Sequence, residues 1–251
     1  MAARVEGEPC AFSEVDSERF GVRVARAHVD GNNLQQAVEF CAAERINLLI
    51  ARCPTTELHA AQKMEGLGFS LMDTLVYYSF DLTKRAIPDR SSEAHVRKFV
   101  LEDKAQIERV AAGAFKGYHG HYHADPRLDP KKCDEGYVSW AVRSYTSKQV
   151  ATEVLVAERE KKIVGFLTLR LNGPKLNSPK EVEGVLFAVA PEAQGTGVGH
   201  SLLAEGLKWC KEQRASDMVI STQVTNLAVQ RVWCRVGFEP AHSYYTFHKW
   251  F

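Results

Sequence analysis

The chain of 251 residues lacks the features that mark several large classes of protein. It has no excess of either charge: 32 lysines and arginines against 31 aspartates and glutamates give a formal net charge of +1, with no long basic run. A nucleic-acid partner needs a concentrated cationic footprint, so none is expected. No apolar stretch approaches 18 residues, which argues against a membrane-spanning helix, and the opening MAARVEGEPC has no signal-peptide core. A cytoplasmic chain with no membrane partner is expected. Cys10, Cys41, Cys53, Cys133, Cys210 and Cys234 show no C-x-x-C spacing and several fall on apolar faces, so they read as reduced packing thiols.

What the chain does have is a glycine-dense turn. Residues 183–203 read EGVLFAVAPEAQGTGVGHSLL: an apolar strand, a proline, then Gln194 and three alternating glycines that run straight into an amphipathic helix. Gly195, Gly197 and Gly199 leave the turn without Cβ atoms, so the backbone bends sharply and its N–H groups converge. The first helical turn adds unpaired donors and the positive end of the helix dipole. A pyrophosphate is the natural occupant. The spacing narrows the choice, because no G-K-[ST] follows, as a P-loop requires, and the glycines fall as GxGxG rather than GxGxxG.

The pattern Q-x-x-G-x-G at Gln194, Gly197 and Gly199 resembles the acyl-CoA loop of the GNAT superfamily of N-acetyltransferases. That resemblance implies acetyl-CoA or another acyl-CoA as cosubstrate and no metal. It places Phe187, Ala188, Val189, Gln194, Gly195, Thr196, Gly197, Val198, Gly199 and His200 around it. The following segments keep the family's order. Leu202, Leu203, Gly206, Leu207 and Cys210 have helical spacing over 199–214, 218–223 is a short β-rich run, and Asn226 opens a helix that stops at Gly237. The run N-x-x-A…GF is similar to the family's second block, where Asn226 and Trp233 would flank pantetheine and thioester.

The fold so implied is α/β, a mixed and mostly antiparallel twisted sheet flanked by helices, over residues 95–251. Expected within it are a strand at 95–100, a helix at 102–115, an antiparallel pair at 153–159 and 162–171 turning at Glu160 and Lys161, and a strand at 181–189. Residues 84–94 read as a linker. Residues 1–83 form a smaller α/β unit: strand 20–29, helix 34–45, apolar run 48–53, helix 57–66 and an extended run to 82. Residues 57–69 align with 226–238 at one offset, leucine on leucine and Gly-Phe on Gly-Phe, with Asp30-Gly31-Asn32-Asn33 in place of the glycine loop. A degenerate half acyltransferase is one reading; patterning shared by any two βαβ units is the other.

Acceptor chemistry is sought in residues 114–127, dense in rings and imidazoles. In one reading Tyr118 and Tyr122 stack on a flat or sugar group while His123, Asp125 and Arg127 make polar contacts. A surface loop without function is a second reading, and a metal chelate by three alternating histidines, with no carboxylate or thiolate to complete it, is a third. Phe20-Gly21-Val22, residues 56–71, Ala114-Phe115 and residues 123–127 together resemble the dTDP-amino-deoxysugar N-acyltransferases, of the dTDP-fucosamine acetyltransferase type. That resemblance implies a dTDP-amino-sugar acceptor and a homodimer.

Acyl transfer needs a neutral amine, donors for the oxyanion and relief for the thiolate. Glu183 lies eleven residues before Gln194, where one branch of the superfamily carries its general base, and strand alternation groups it with Val185 and Phe187. A solvated strand-end glutamate is the alternative. The oxyanion donor would be a backbone N–H near Ala188 or Val189. Many members have a tyrosine seven residues after the asparagine, as acid for the leaving sulfur. Here that position is Trp233, whose indole donates a hydrogen bond but is no acid, so Tyr244 or Tyr245 on the final strand is the substitute. Three functions stay open: transfer to a nucleotide-linked amino-deoxysugar, transfer to another small or protein amine, and acyl-CoA binding with weak turnover.

Overall fold

The computed structural model describes residues 10–89, 92–172 and 180–251. Residues 1–9, to which the signal-peptide reading applies, and 90–91 of the expected linker lie outside the described residues. The elements are β1 (Cys10–Phe12), α1 (Glu14–Phe20), β2 (Val24–His28), α2 (Leu34–Ala43), β3 (Leu48–Pro54), α3 (Leu58–Gly66) and β4 (Ser70–Asp81). After the connection come β5 (His95–Lys98), α4 (Lys104–Ala114), α5 (Pro130–Thr146), β6 (Glu153–Arg159), β7 (Lys162–Asn172), β8 (Glu181–Val189), α6 (Val198–Glu212), β9 (Asp217–Gln223), α7 (Leu227–Val236) and β10 (Glu239–Trp250).

Local chemistry accounts for most of these boundaries. Asn226 caps α7 by accepting from Val229 N–H at 3.4 Å, and Gly237, at φ 109°, ends it in the left-handed conformation. Glu160 and Lys161 turn the β6–β7 hairpin with φ of 52° and 61°, the two-residue geometry that matches strand twist. Residues 20–29 differ from expectation. Gly21, at φ 71°, closes a short helix ending at Phe20, and the strand starts only at Val24. The 17-residue helix α5 was not expected, although Asp129 caps it and Pro130 at its first position pre-sets the helical φ.

Among the described residues ten strands lie in one sheet, in the order β1-β2-β3-β10-β4-β9-β8-β7-β6-β5, parallel only at β2–β3 and β8–β9. The two chain halves therefore share a sheet on both sides of residues 84–94. Their last strands are exchanged: β10 lies between β3 and β4, and β4 lies between β10 and β9. The exchange is a pseudo-two-fold with a constant offset of 169 residues (217 minus 48, 250 minus 81). Leu48 pairs with Trp250 as Asp217 pairs with Asp81; Ser79 pairs with Glu239 as His248 pairs with Ser70. The axis passes through the Leu75–Tyr244 pair, and the irregularities of the β4–β10 ladder, near residues 241 and 72, obey the same relation.

Apolar side chains cluster on both faces. One cluster joins Leu202, Leu207 and Trp233 to Phe80 and Phe238, and its counterpart in the first half packs Ala37, Cys41 and Met64 against Leu49 and Phe247. A third unites Ile107 and Ala141 with Phe166 and Leu186, and a fourth joins Tyr122, Leu128 and Cys133 to Val24 and Ile50. Among the described residues no helix is long and apolar enough to cross a membrane.

Because β10 has no sheet neighbour outside the first half, a fragment of residues 92–251 leaves it unpaired and strips β9 of β4. Such a fragment is expected to show no cooperative thermal transition by circular dichroism; a sharp transition at the full-length temperature would disprove the interdependence.

Candidate active site

The site begins where two parallel strands part. β8 pairs with β9 only from Glu181–Asp217 to Gly184–Ile220. At Gly184 a Cβ would stand 2.5 Å from Ile220 Cγ2, so glycine is what lets the strands close there. The next residue, Val185, is a bulge: β7 pairs with Gly184 through Leu169 and then with Leu186 through Thr168. Beyond it Val185 to Val189 are bordered by β7 alone, and alternate backbone groups face a cleft in place of β9.

The bulge also changes which side chains share a face. Val182 packs in the α6–α7 cluster before it, whereas Phe187 and Val189 pack there after it, and Leu186 and Ala188 turn to the opposite cluster. The expected grouping of Glu183 with Phe187 is thereby corrected. Glu183 is cross-strand from Arg170, which ion-pairs with it, and it does not line the cavity. Tyr245 is not brought to the cavity either: it packs in the first-half core, its ring 6.2 Å from that of Phe247.

The glycine loop connects the free end of β8 to the start of α6, and none of its residues lines the cavity. Gln194 Nε2 donates to Val189 O at 3.2 Å and Thr196 Oγ1 to Ala193 O at 2.7 Å, which folds the loop back on the strand end. Gly195 and Gly197 take φ of 76° and 82°, and Gly197 is the N-cap of α6. The N–H groups of Val198, Gly199 and His200 have no acceptor within the helix. A Cβ on Gly199 would lie 3.0 Å from Phe187 Cζ, so the helix approaches β8 as closely as it does only through glycine. Asn226 and Trp233 line the cavity from α7, and the buried Trp233 Nε1 has no acceptor, an orphan donor suited to a thioester or its sulfur. These features fit an acyl-CoA.

The matching loop of the first half is closed by its own side chains. Asp30 Oδ1 accepts from the N–H groups of Asn32 and Asn33 at 2.8 and 3.1 Å, and Asn33 Oδ1 accepts from Asp30 N–H at 2.9 Å. A carboxylate already occupies the donors that a phosphate would need.

The cavity extends from the splayed strands to the first half. Tyr118, His121 and Tyr122 line it, as do Tyr137, Trp140 and Arg143 of α5, and Arg19, Arg26 and Arg52 enter from α1, β2 and β3. His123, Asp125 and Arg127 do not line it. His123 bonds Asp134 at 3.1 Å, Arg127 stacks over Trp250, and buried Asp125 accepts from His248 Nδ1 at 2.7 Å and Trp250 Nε1 at 2.9 Å. These three hold the loop against β10 and α5. The alternating histidines do not converge, because residues 120–128 form turns that send His121 inward; among the described residues no group of three potential ligands could hold a metal.

Charge in the cavity is unbalanced. Four arginines face the single carboxylate of Asp16 among its lining residues. Burial disfavours ionised Asp16, but Arg26, with hydrogen bonds from Ser13 and Tyr122, outweighs it and holds the carboxyl well below its usual range. Burial pushes the Tyr122 hydroxyl up to about 12 and raises that of Tyr118, so both stay protonated donors. Arg143 makes no ion pair or side-chain hydrogen bond among the described residues, and the Trp140 indole N–H is buried without an acceptor. Sequence reasoning had His121 only among three alternating histidines of a metal chelate and missed every residue from α1, β2, β3 and α5, for which the Asp129-Pro130 helix start was the one available signal.

A splayed parallel pair, a glycine loop at a helix start and a cavity beyond them define the class: an acyl-CoA-dependent N-acetyltransferase. Residues 120–238 match the Acetyltransferase (GNAT) family and form a domain of it. The spore coat polysaccharide biosynthesis protein SpsD of Bacillus subtilis (strain 168) is 23% identical over 212 residues, 82% of this chain and 68% of that protein. A mycothiol acetyltransferase of Rhodococcus opacus (strain B4) is 26% identical over 143 residues, 57% of this chain but 44% of its own length. A GCN5-related N-acetyltransferase from Sphaerobacter thermophilus shares the fold with a TM-score of 0.63 at 14% identity, covering 96% of this chain and 76% of that one.

Two outcomes are expected. Gly197→Val forces a branched side chain into a left-handed backbone, costing roughly 1–3 kcal/mol, and should weaken CoA binding by about tenfold in calorimetry; unchanged affinity would remove the loop from the site. Asp16→Asn should lower stability at pH 7 by about 3 kcal/mol, since the partly buried Arg26 loses its countercharge. A depressed carboxyl stabilises above its unfolded pKa, so this gap is full above about pH 5 and narrows as pH falls below about 4; melting curves of both proteins from pH 3 to 7 check it.

Proposed function

We propose that the protein transfers an acetyl group from acetyl-CoA to the amine of a nucleotide-linked amino-deoxysugar. The observation that carries the acyl-CoA half is the splay of β8 from β9 beside the glycine loop. An extended pantetheine bears amides that can pair with the exposed edge of Val185 to Val189, while its pyrophosphate meets the N–H groups at the start of α6. A strand N–H near Ala188 or Val189 is then the oxyanion donor, and Trp233 Nε1, which lines the cavity, steadies the sulfur.

The acceptor half is supported by charge. A diphosphate bears negative charge that the cavity's arginine excess matches, with Arg143 unpaired and Trp140 offering a buried donor. Tyr118 and Tyr122 supply rings for the base or sugar. The polysaccharide-biosynthesis role printed for SpsD agrees with a sugar acceptor. A second reading, a different small amine, is favoured by the match to mycothiol acetyltransferase.

Purified protein with acetyl-CoA is expected to release CoA thiol with dTDP-amino-deoxysugars and much more slowly with the same sugars lacking the nucleotide. Equal rates with and without the nucleotide would move the reading to the second acceptor class. Arg143→Gln should raise the acceptor KM by about tenfold or more, the loss of one charged hydrogen bond, with the acetyl-CoA KM unchanged.

A further inference from the structure

We propose that His121 is the general base of the transfer, with His248 and Asp125 as positioning residues that fix its tautomer. The proposal rests on the acyl-transfer reading of the cavity and goes beyond it by assigning the proton path. His121 Nδ1 and His248 Nε2 are 2.9 Å apart, and His248 Nδ1 is 2.7 Å from Asp125 Oδ2. The three side chains come from the loop after α4 and from β10, and all are buried. Their series ends at the cavity, because His121 lines it whereas His248 and Asp125 do not.

With both imidazoles neutral, only one proton arrangement satisfies both bonds. Ionised Asp125 accepts and donates nothing, so His248 carries its proton on Nδ1. Its Nε2 must then accept, and His121 donates from Nδ1. That leaves His121 Nε2 with a free lone pair; it bonds no protein group among the described residues. Charges on the neighbouring elements keep the ring neutral. Burial disfavours its protonated form, as do Arg26 of β2 and Arg52 of β3, while Asp16 of α1 acts in the opposite sense; His248 of β10, neutral in this arrangement, adds no charge. Asp125 steadies the imidazolium that forms transiently, through the neutral His248 between them.

An acceptor amine arrives as an ammonium and loses two protons overall. The first passes to His121 Nε2 and on to solvent, which frees the nitrogen lone pair. That nitrogen bonds the thioester carbonyl carbon, the carbon–sulfur bond breaks, and the second proton leaves with the thiolate as CoA thiol. Glu183, held by Arg170 away from the cavity, takes no part in this path. A structural role alone would not require an imidazole facing the cavity with an open nitrogen, since Asp125, His248 and Trp250 already tie the loop to β10.

His121→Gln should lower kcat by about a hundredfold or more at pH 7, leave the acetyl-CoA KM unchanged, and regain rate in proportion to the free amine as pH rises. The wild-type rate should be flat over that range. Asp125→Asn should reduce kcat with the same steepened pH dependence, whereas a merely structural loss would lower the rate equally at every pH. Nitrogen-15 NMR of the intact wild-type protein reads the tautomers without any variant, and both rings should be neutral with the proton on Nδ1. An Nε2-protonated or charged His121 at pH 7, or His121→Gln with wild-type kcat and pH profile, overturns the proposal. If the wild-type chain releases no thiol with any amine, the transfer reading itself falls, and this proposal with it; turnover by wild type alongside an unaltered variant overturns the proposal alone.

Discussion

The exchange of strands between β4 and β10 is the constraint from which the rest of the molecule follows. Each half gives its last strand to the other, so the sheet has no seam at which the halves could hinge. That continuity sets the position of β2 and β3 relative to β8, and the cavity spans the distance between them. Arginines from α1, β2 and β3 can therefore face a cleft built by β8 and β9 although no ladder joins those elements directly. A hinged pair of domains would expose these cations to water, where screening would make them weak ligands.

Within that frame two deviations from regularity create the site. The bulge at Val185 turns β8 away from β9, and the glycines after Val189 bring a helix start against the gap. Both depend on the absence of side chains, at Gly184 for strand contact and at Gly199 for the approach to Phe187. The first half shows the same plan without them. There β2 and β3 stay paired along all of β2, and Asp30 and Asn33 close the loop, so one half carries the open strand edge and the glycine loop and the other lends side chains to the cavity.

Local chemistry made the glycine loop, the Asn226 cap, the Gly237 stop and the Glu160-Lys161 turn legible, because each is decided within a few residues. The 169-residue echo was visible as one aligned stretch, but the exchange of strands was not, since pairing partners leave no mark in periodicity. The Val185 bulge escaped for the same reason: an inserted residue reads as one more position in an apolar run, and it reversed the face assigned to Glu183. His121, His248 and Asp125 lie 123 to 127 residues apart along their bonds, and Asp16 meets Tyr122 across 106. Such pairings are products of the whole fold. Tyr118 and Tyr122 were legible from their ring-dense segment, and helix α5, announced by Asp129-Pro130, was the further part of the cavity wall that local reasoning had the means to find.

The central ladder also bears on how the chain is assembled. β4 and β10 are separated by more than 150 residues, so the middle of the sheet cannot close until everything between them has been synthesised and has begun to fold. Until then β4 presents one open edge and β3 another, each a template for the wrong partner. The pseudo-two-fold adds a hazard of its own: since β4 and β10 hold equivalent places, the matching strand of a second nascent chain meets the same ladder. The strand exchange that makes the finished sheet seamless thus makes its centre the last part to be secured, with domain swapping as the characteristic error.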